Sequence, residues 1–175
     1  MNEETLFSLL ETVRGKTVQL GEKVASEHAD LVDAIPDGFR NNIRWNLGHI
    51  AVVFDMLMHH PAGEQSVLPK PFSQSFAPNT SPSDWNEDTP TFQEVITQLR
   101  EQPAGIKSHF SGRLYEPLPK PFSLAGQEFK TSGELLAFCL YHEGIHVGTI
   151  NSQLKVLRNQ ISQNSVPYRS PSSLG

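Results

Sequence analysis

The sequence predicts an all-α fold, a four-helix bundle with long inter-helix links. Three observations predict it. Apolar residues recur at helical spacing in four separate stretches, capping residues stand at the starts of three of them, and no stretch sustains the period-two alternation of a half-buried strand.

The first helix is expected from about Glu3 to His28, where Leu6, Leu9, Leu10, Val13, Leu20 and Val24 form an interrupted apolar stripe. The second follows "PDGFRNN", where Asn41 or Asn42 can cap it, and runs to about His60 before Pro61. At "DTPTFQE" Thr89 is a natural N-cap with Pro90 in the first helical position, and Thr91 with Glu94 offers a competing capping box. Pro103 is expected to kink or end this third helix, leaving "AGIKSHF" as a separate turn. The fourth opens at "KTSGELL", where Thr131 and Glu134 have capping-box spacing, and continues to about Arg158.

The links at about 61–89 and 111–130 are much longer than bundle connections usually are. Both contain the hexapeptide "LPKPFS", at 68–73 and 118–123; nothing else matches around the copies, which favours coincidence over a structural repeat. Residues 1–160 read as one domain. Residues 161–175, polar and punctuated by proline, read as a flexible C-terminal tail.

With 175 residues, 37% of them apolar and 19% charged, the chain has the composition of a globular protein. Its net charge of −5 and the lack of any Lys/Arg cluster argue against a nucleic-acid partner. The longest apolar run, "IAVVFDMLM", is broken by Asp55, so no membrane span is expected. The acidic, amphipathic "MNEETLFSLLETV" does not read as a signal peptide. A lone Cys139 cannot form an internal disulfide, and the cytoplasm is the expected compartment.

Residues 142–146, "HEGIH", fit the zinc-peptidase pattern H-E-x-x-H. Four residues apart on a helix means an offset of about 40°, so His142 and His146 can share one ion. A catalytic site needs a third protein ligand, and the 29 residues after His146 hold no His, Asp or Glu. The ordinary peptidase reading therefore fails, and the third ligand is expected upstream. His49 lies on the core-facing stripe of the second helix with Trp45, Val53 and Met56. His60 is roughly 16 Å further along the axis. His59 and His28 adjoin helix ends and are expected in solvent, and His109 is left as an outside candidate. One inward histidine is more often a hydrogen-bonded core residue, but three on two helices favour a metal.

The motifs "RWNLGHI" and "HEGIHVGTI", in this order and on these helices, resemble the DinB-like (YfiT-like) four-helix metalloproteins. The resemblance covers the whole chain. It implies a divalent ion, commonly zinc or nickel with iron as a further option, held by His49, His142 and His146, and often a homodimer. Many relatives carry Gln three residues after the last His, where this sequence has Thr149, which puts substrate specificity in question and leaves metal binding untouched.

Three neutral imidazoles leave the ion's charge uncompensated, which favours a deprotonated thiol or water. The resemblance implies the first chemistry: a low-molecular-weight thiol as co-substrate, transferred to an electrophile, as in bacillithiol- and mycothiol-dependent relatives. A hydrolase using metal-bound hydroxide is the alternative, and a non-catalytic metal- or ligand-binding bundle is a third reading. Glu143, at the edge of the metal face, is either the general base or an ion-paired helix residue. Trp45 is expected to pack under His49, Arg44 to bind an anionic thiol or face water, and Thr149 to face the side of His142. Cys139 reads as a buried hydrophobe before it reads as a nucleophile. Gly144 and Gly148 suggest a close helix approach, for which a dimer interface is one place.

Overall fold

The structure is a computed structural model, and it describes residues 2–124 and 126–164. Four long helices carry it: α1 (Glu3–Glu27), α2 (Ile43–His59), α4 (Phe92–Phe110) and α5 (Ser132–Asn164). A short α3 (Lys70–Phe76) lies in the first long link, and a hairpin of β1 (Pro117–Leu124) and β2 (Gln127–Thr131) in the second. α1 packs on α4 and α5, and so does α2, so α1 and α2 sit on opposite corners of the bundle. Among the described residues no helix is long and apolar enough to cross a membrane.

Local signals set the helix starts. Asn2 Oδ1 accepts the Thr5 N–H at 2.9 Å, and Asn42 rather than Asn41 caps α2, accepting from the Trp45 N–H at 2.8 Å. At α4 the two competing signals resolve for Thr91. Its hydroxyl accepts the Glu94 N–H at 3.3 Å while Glu94 accepts the Thr91 N–H at 2.7 Å. Thr89 instead accepts from the Asn86 N–H. The Thr131–Glu134 box forms at α5, which runs past Arg158 to Asn164, so the first residues assigned to the tail are helical. Residues 165–175, the rest of that tail, lie outside the described residues.

Two expectations are corrected. Pro103 does not break α4, which is continuous from Phe92 to Phe110. Proline at 103 leaves the Leu99 carbonyl without its donor four residues on, and Arg14 Nη1 donates to that carbonyl at 3.3 Å. The second correction is the hairpin, which the sequence hid behind three prolines in "PLPKPFSL". Phe122 pairs with Phe129 and Leu124 with Gln127, and Leu118 and Phe129 are buried. The two "LPKPFS" copies take different structures. One leads into α3 and the other lies in β1, as expected of a coincidence.

The core falls into two apolar halves. One gathers Val24, Ile43, Phe76, Ile96 and Ile150, the other Leu10, Phe54, Phe110, Leu136 and Cys139. Between them lies a buried polar layer with one contribution from each long helix. Arg14 Nε donates to both oxygens of Glu143 at 3.0 and 3.1 Å, and Arg14 Nη1 donates to Gln102 Oε1 at 2.7 Å. Gln102 Nε2 in turn donates to the Ala51 carbonyl at 2.9 Å. Arg14 Nη2 is buried without a hydrogen-bond partner, and the guanidinium lies over the Phe54 ring, 4.9 Å from its centroid. Arg14→Met strands the Glu143 carboxylate in this layer and is expected to cost about 3–5 kcal/mol of stability in urea unfolding, against much less for Arg14→Met with Glu143→Leu.

Candidate metal centre

His49 is held in the second turn of α2, facing the middle of α5. Gly48 makes that possible: a Cβ there would sit 2.4 Å from the Phe76 ring, so only glycine lets α3 lie against α2. α3 thereby brings the Phe76 carbonyl 2.7 Å from His49 Nδ1. A carbonyl only accepts, so Nδ1 carries the proton and the Nε2 lone pair is free.

His146 is oriented the same way by a different device. Its Nδ1 lies 2.8 Å from Asn46 Oδ1. The amide nitrogen of Asn46 already donates to the Asn42 carbonyl at 2.8 Å and to Gln153 Oε1 at 3.2 Å. Asn46 therefore accepts from His146, whose Nε2 is again the free nitrogen. Gln153 is fixed in turn by donating to the Asn41 carbonyl. His142 has no partner on Nδ1 among the described residues.

The three imidazoles converge. One ring nitrogen from each of His49, His142 and His146 lies within 4.8 Å of the others, which positions the group to hold a metal ion. The Nε2 atoms of His142 and His146 are 3.2 Å apart. Two imidazole nitrogens bound tetrahedrally to one ion at its usual bond length would be about 3.3 Å apart, so the spacing fits. Trp45 stacks on His49 with centroids 4.4 Å apart and planes 15° from parallel, packing beneath it as expected, and its Nε1 donates to Thr80 Oγ1.

Electrostatics agree with the ligand role. Burial lowers the pKa of His49, that of His142 to about 4 and that of His146 to about 3, and neighbouring imidazoles add to the effect at His142 and His146. All three are neutral near pH 7, the form that binds metal.

The remaining candidates lie elsewhere. Glu143 is fully buried with its carboxylate on Arg14, turned toward α1 and α4. Arg44 donates to Asp33 Oδ1 at 2.8 Å and to the Pro90 carbonyl, and lies over the Trp85 ring. Thr149 is half-buried, with its hydroxyl donating to the Ile145 carbonyl. Burial pushes the Cys139 thiol far above its usual range, and Cys139 belongs to the apolar core. His109 pairs with Glu64 at 2.7 Å, apart from the triad. His28 is half-buried and accepts from Arg158. His59, expected in solvent, is buried against Asp55.

Among known families, the DinB superfamily matches residues 9–150. The chain belongs to the DinB superfamily. No curated protein matches it. The residues of this DinB site that the sequence did not announce are Asn46 and the Phe76 carbonyl. Asn46 left one usable trace, an amide three residues before His49 inside a helix where asparagine is unfavourable. A backbone carbonyl leaves none.

Asn46→Leu is expected to weaken zinc binding about 10–100-fold in a chelator competition, with the helix content unchanged. A second expectation concerns acid. In the metal-free unfolded chain a histidine takes up its proton below pH 6.5, whereas folded His142 waits until about 4. The unfolded state thus binds more protons in that window, and these groups make the metal-free protein lose stability as pH falls from 6.5 toward 4. His59, raised by its hydrogen bond to Asp55, works in the opposite sense. Thermal melts across that range should show a shallower acid loss for His146→Gln than for the unmodified chain.

Proposed function

We propose that this DinB bundle is a metal-dependent transferase that joins a low-molecular-weight thiol to a small electrophile. The observation that carries the reading is the donor set: three neutral imidazoles with no carboxylate among them. The adjacent Glu143 is occupied by Arg14. Zinc or nickel fits such a set, and iron is accommodated by it. When bound, the ion supplies positive charge that favours the deprotonated form of a thiol.

The chain's own residues do the rest. His49, His142 and His146 hold the site without offsetting its charge. Trp45 forms an apolar wall behind His49 and keeps the ring fixed. Thr149, half-buried one turn beyond His146, is the side chain we assign to orienting the thiol. The sulfur attacks the electrophile, the new carbon–sulfur bond replaces the bond to the leaving group, and the thiol proton leaves with that group, so RSH and R′X give RSR′ and HX. Hydrolysis by the H-E-x-x-H route needs a glutamate free to take a proton from water, and the Arg14 pair supports transfer over it. We further assign the enzyme to the cytoplasm as a single-domain homodimer. Tyr141, Gly144, Ile145 and Gly148 leave an exposed face on α5, and no side chain approaches either glycine.

The test is a zinc-loaded assay with a panel of thiols and 1-chloro-2,4-dinitrobenzene, following thiol loss and thioether formation. The expected result is turnover that falls to background in His49→Ala and rises in KM for the thiol in Thr149→Val. Ester cleavage without any thiol, abolished in a folded Glu143→Gln variant, would establish hydrolysis instead.

A further inference from the structure

A second group of titratable side chains lies beyond the polar layer from the three histidines. His59 is ten residues past His49 on α2, roughly 15 Å along the axis. Both Asp55 and His59 are buried, at 1% and 4% exposure. His59 Nδ1 donates to the Asp55 carbonyl at 3.0 Å and approaches Asp55 Oδ1 at 3.3 Å. The same carboxylate oxygen accepts the Val67 N–H at 3.3 Å, which ties the link after α2 to the pair. Among the described residues His59 Nε2 has no hydrogen-bond partner, and it is not one of the buried unpartnered atoms.

His59 forms part of the wall of a cleft of about 690 Å³ between the end of α2, the following link and α4. Gly105 lines it from α4, and a Cβ there would have nothing within 4 Å. Glycine inside a helix costs stability, and no packing partner needs it at this position. Its visible effect is to keep the cleft open. Ile106 and Val67 add apolar surface.

We propose that this cleft is a second small-molecule site, separate from the metal centre, that takes an uncharged carbonyl compound with an apolar body. The charges select that class. Asp55 holds His59 above its ordinary pKa, first through their side-chain hydrogen bond, so Nε2 carries a proton to higher pH than a free imidazole and in that form presents a donor. A carbonyl oxygen accepts from that donor. Glu64 and Glu101 also line the cleft and repel an anion, although His109 and Arg113 partly offset Glu64. When His59 is protonated, a cation meets its positive charge head-on.

Three near-isosteric probes test this on the full chain with ¹⁵N-labelled histidine: benzamide, benzoate and benzamidine. Benzamide is expected to shift the His59 Nε2 resonance saturably, with a dissociation constant on the order of millimolar. Benzoate and benzamidine should bind at least about tenfold more weakly. Gly105→Leu fills the cleft at a position with open space, keeps a strong helix former, and should abolish the benzamide shift without lowering the melting temperature. His49→Ala should leave it unchanged. Equal binding of a charged probe would overturn the ligand class. A benzamide shift that survives Gly105→Leu, no shift at all, or loss of binding in His49→Ala would overturn the site.

Discussion

The buried ion pair between Arg14 and Glu143 sets the rotation of α5, and the metal centre depends on that rotation. Glu143 is turned inward onto Arg14 and Gln102's layer, completely out of solvent. On a helix, His142 and His146 then point about 100° and 60° away from it on the same side, which is the side of α2. Removing one partner from such a pair is costly, while the intact pair adds little net stability. Its value is registry. A purely apolar core would tolerate α5 turned by a few tens of degrees, and that turn would separate His142 from His49. The same arginine donates to the Leu99 carbonyl that Pro103 leaves open, so one side chain holds α5 in rotation and α4 in one piece.

Two of the three converging histidines share a second property, the neutrality of what supports them. His49 is oriented by a backbone carbonyl and His146 by an amide. Carboxylate partners would also fix the tautomers, but they would place negative charge behind the ligands and reduce the ion's pull on a substrate. With neutral partners, a bound ion would keep most of its charge for the open side of the site. The neutral partners of these two rings match the carboxylate-free character of the histidine group itself. Gly48 contributes from the backbone: without it Phe76 could not pack on α2, and its carbonyl would not reach His49.

How much of this was legible varied with the physics behind each feature. The helices were legible because capping boxes and apolar spacing are local, and the choice between Thr89 and Thr91 was visible as a competition. The convergence of His49, His142 and His146 was legible because inward histidines are few and carry a fixed helical phase. Pro103 misled because its remedy, Arg14, is 89 residues upstream and acts only once the helices are packed. The hairpin misled because Pro117, Pro119 and Pro121 break up the alternation that marks a strand. Glu143 sat in a motif whose usual chemistry pointed at the metal, and an arginine within the first helix's apolar stripe, at position 14, was the signal for its true partner. Identical "LPKPFS" segments in a helix start and a strand show how far tertiary context overrides six residues of local preference.

α2 shows how one rod supports two kinds of histidine. His49 and His59 are both buried, and each has Nδ1 on a backbone carbonyl, leaving Nε2 as the working atom. What differs is the next neighbour. His49 faces two other imidazoles and an indole, so desolvation has nothing to oppose it but the Phe76 bond, and its pKa falls. His59 has the Asp55 carboxylate behind it, and its pKa rises. A lowered imidazole offers a lone pair to a cation, and a raised one offers a proton to an acceptor. The end of the bundle lacking a carboxylate behind its histidines is therefore the end suited to a metal, and the other end is suited to hydrogen bonding. The polar layer of Arg14, Gln102 and Glu143 lies between the two.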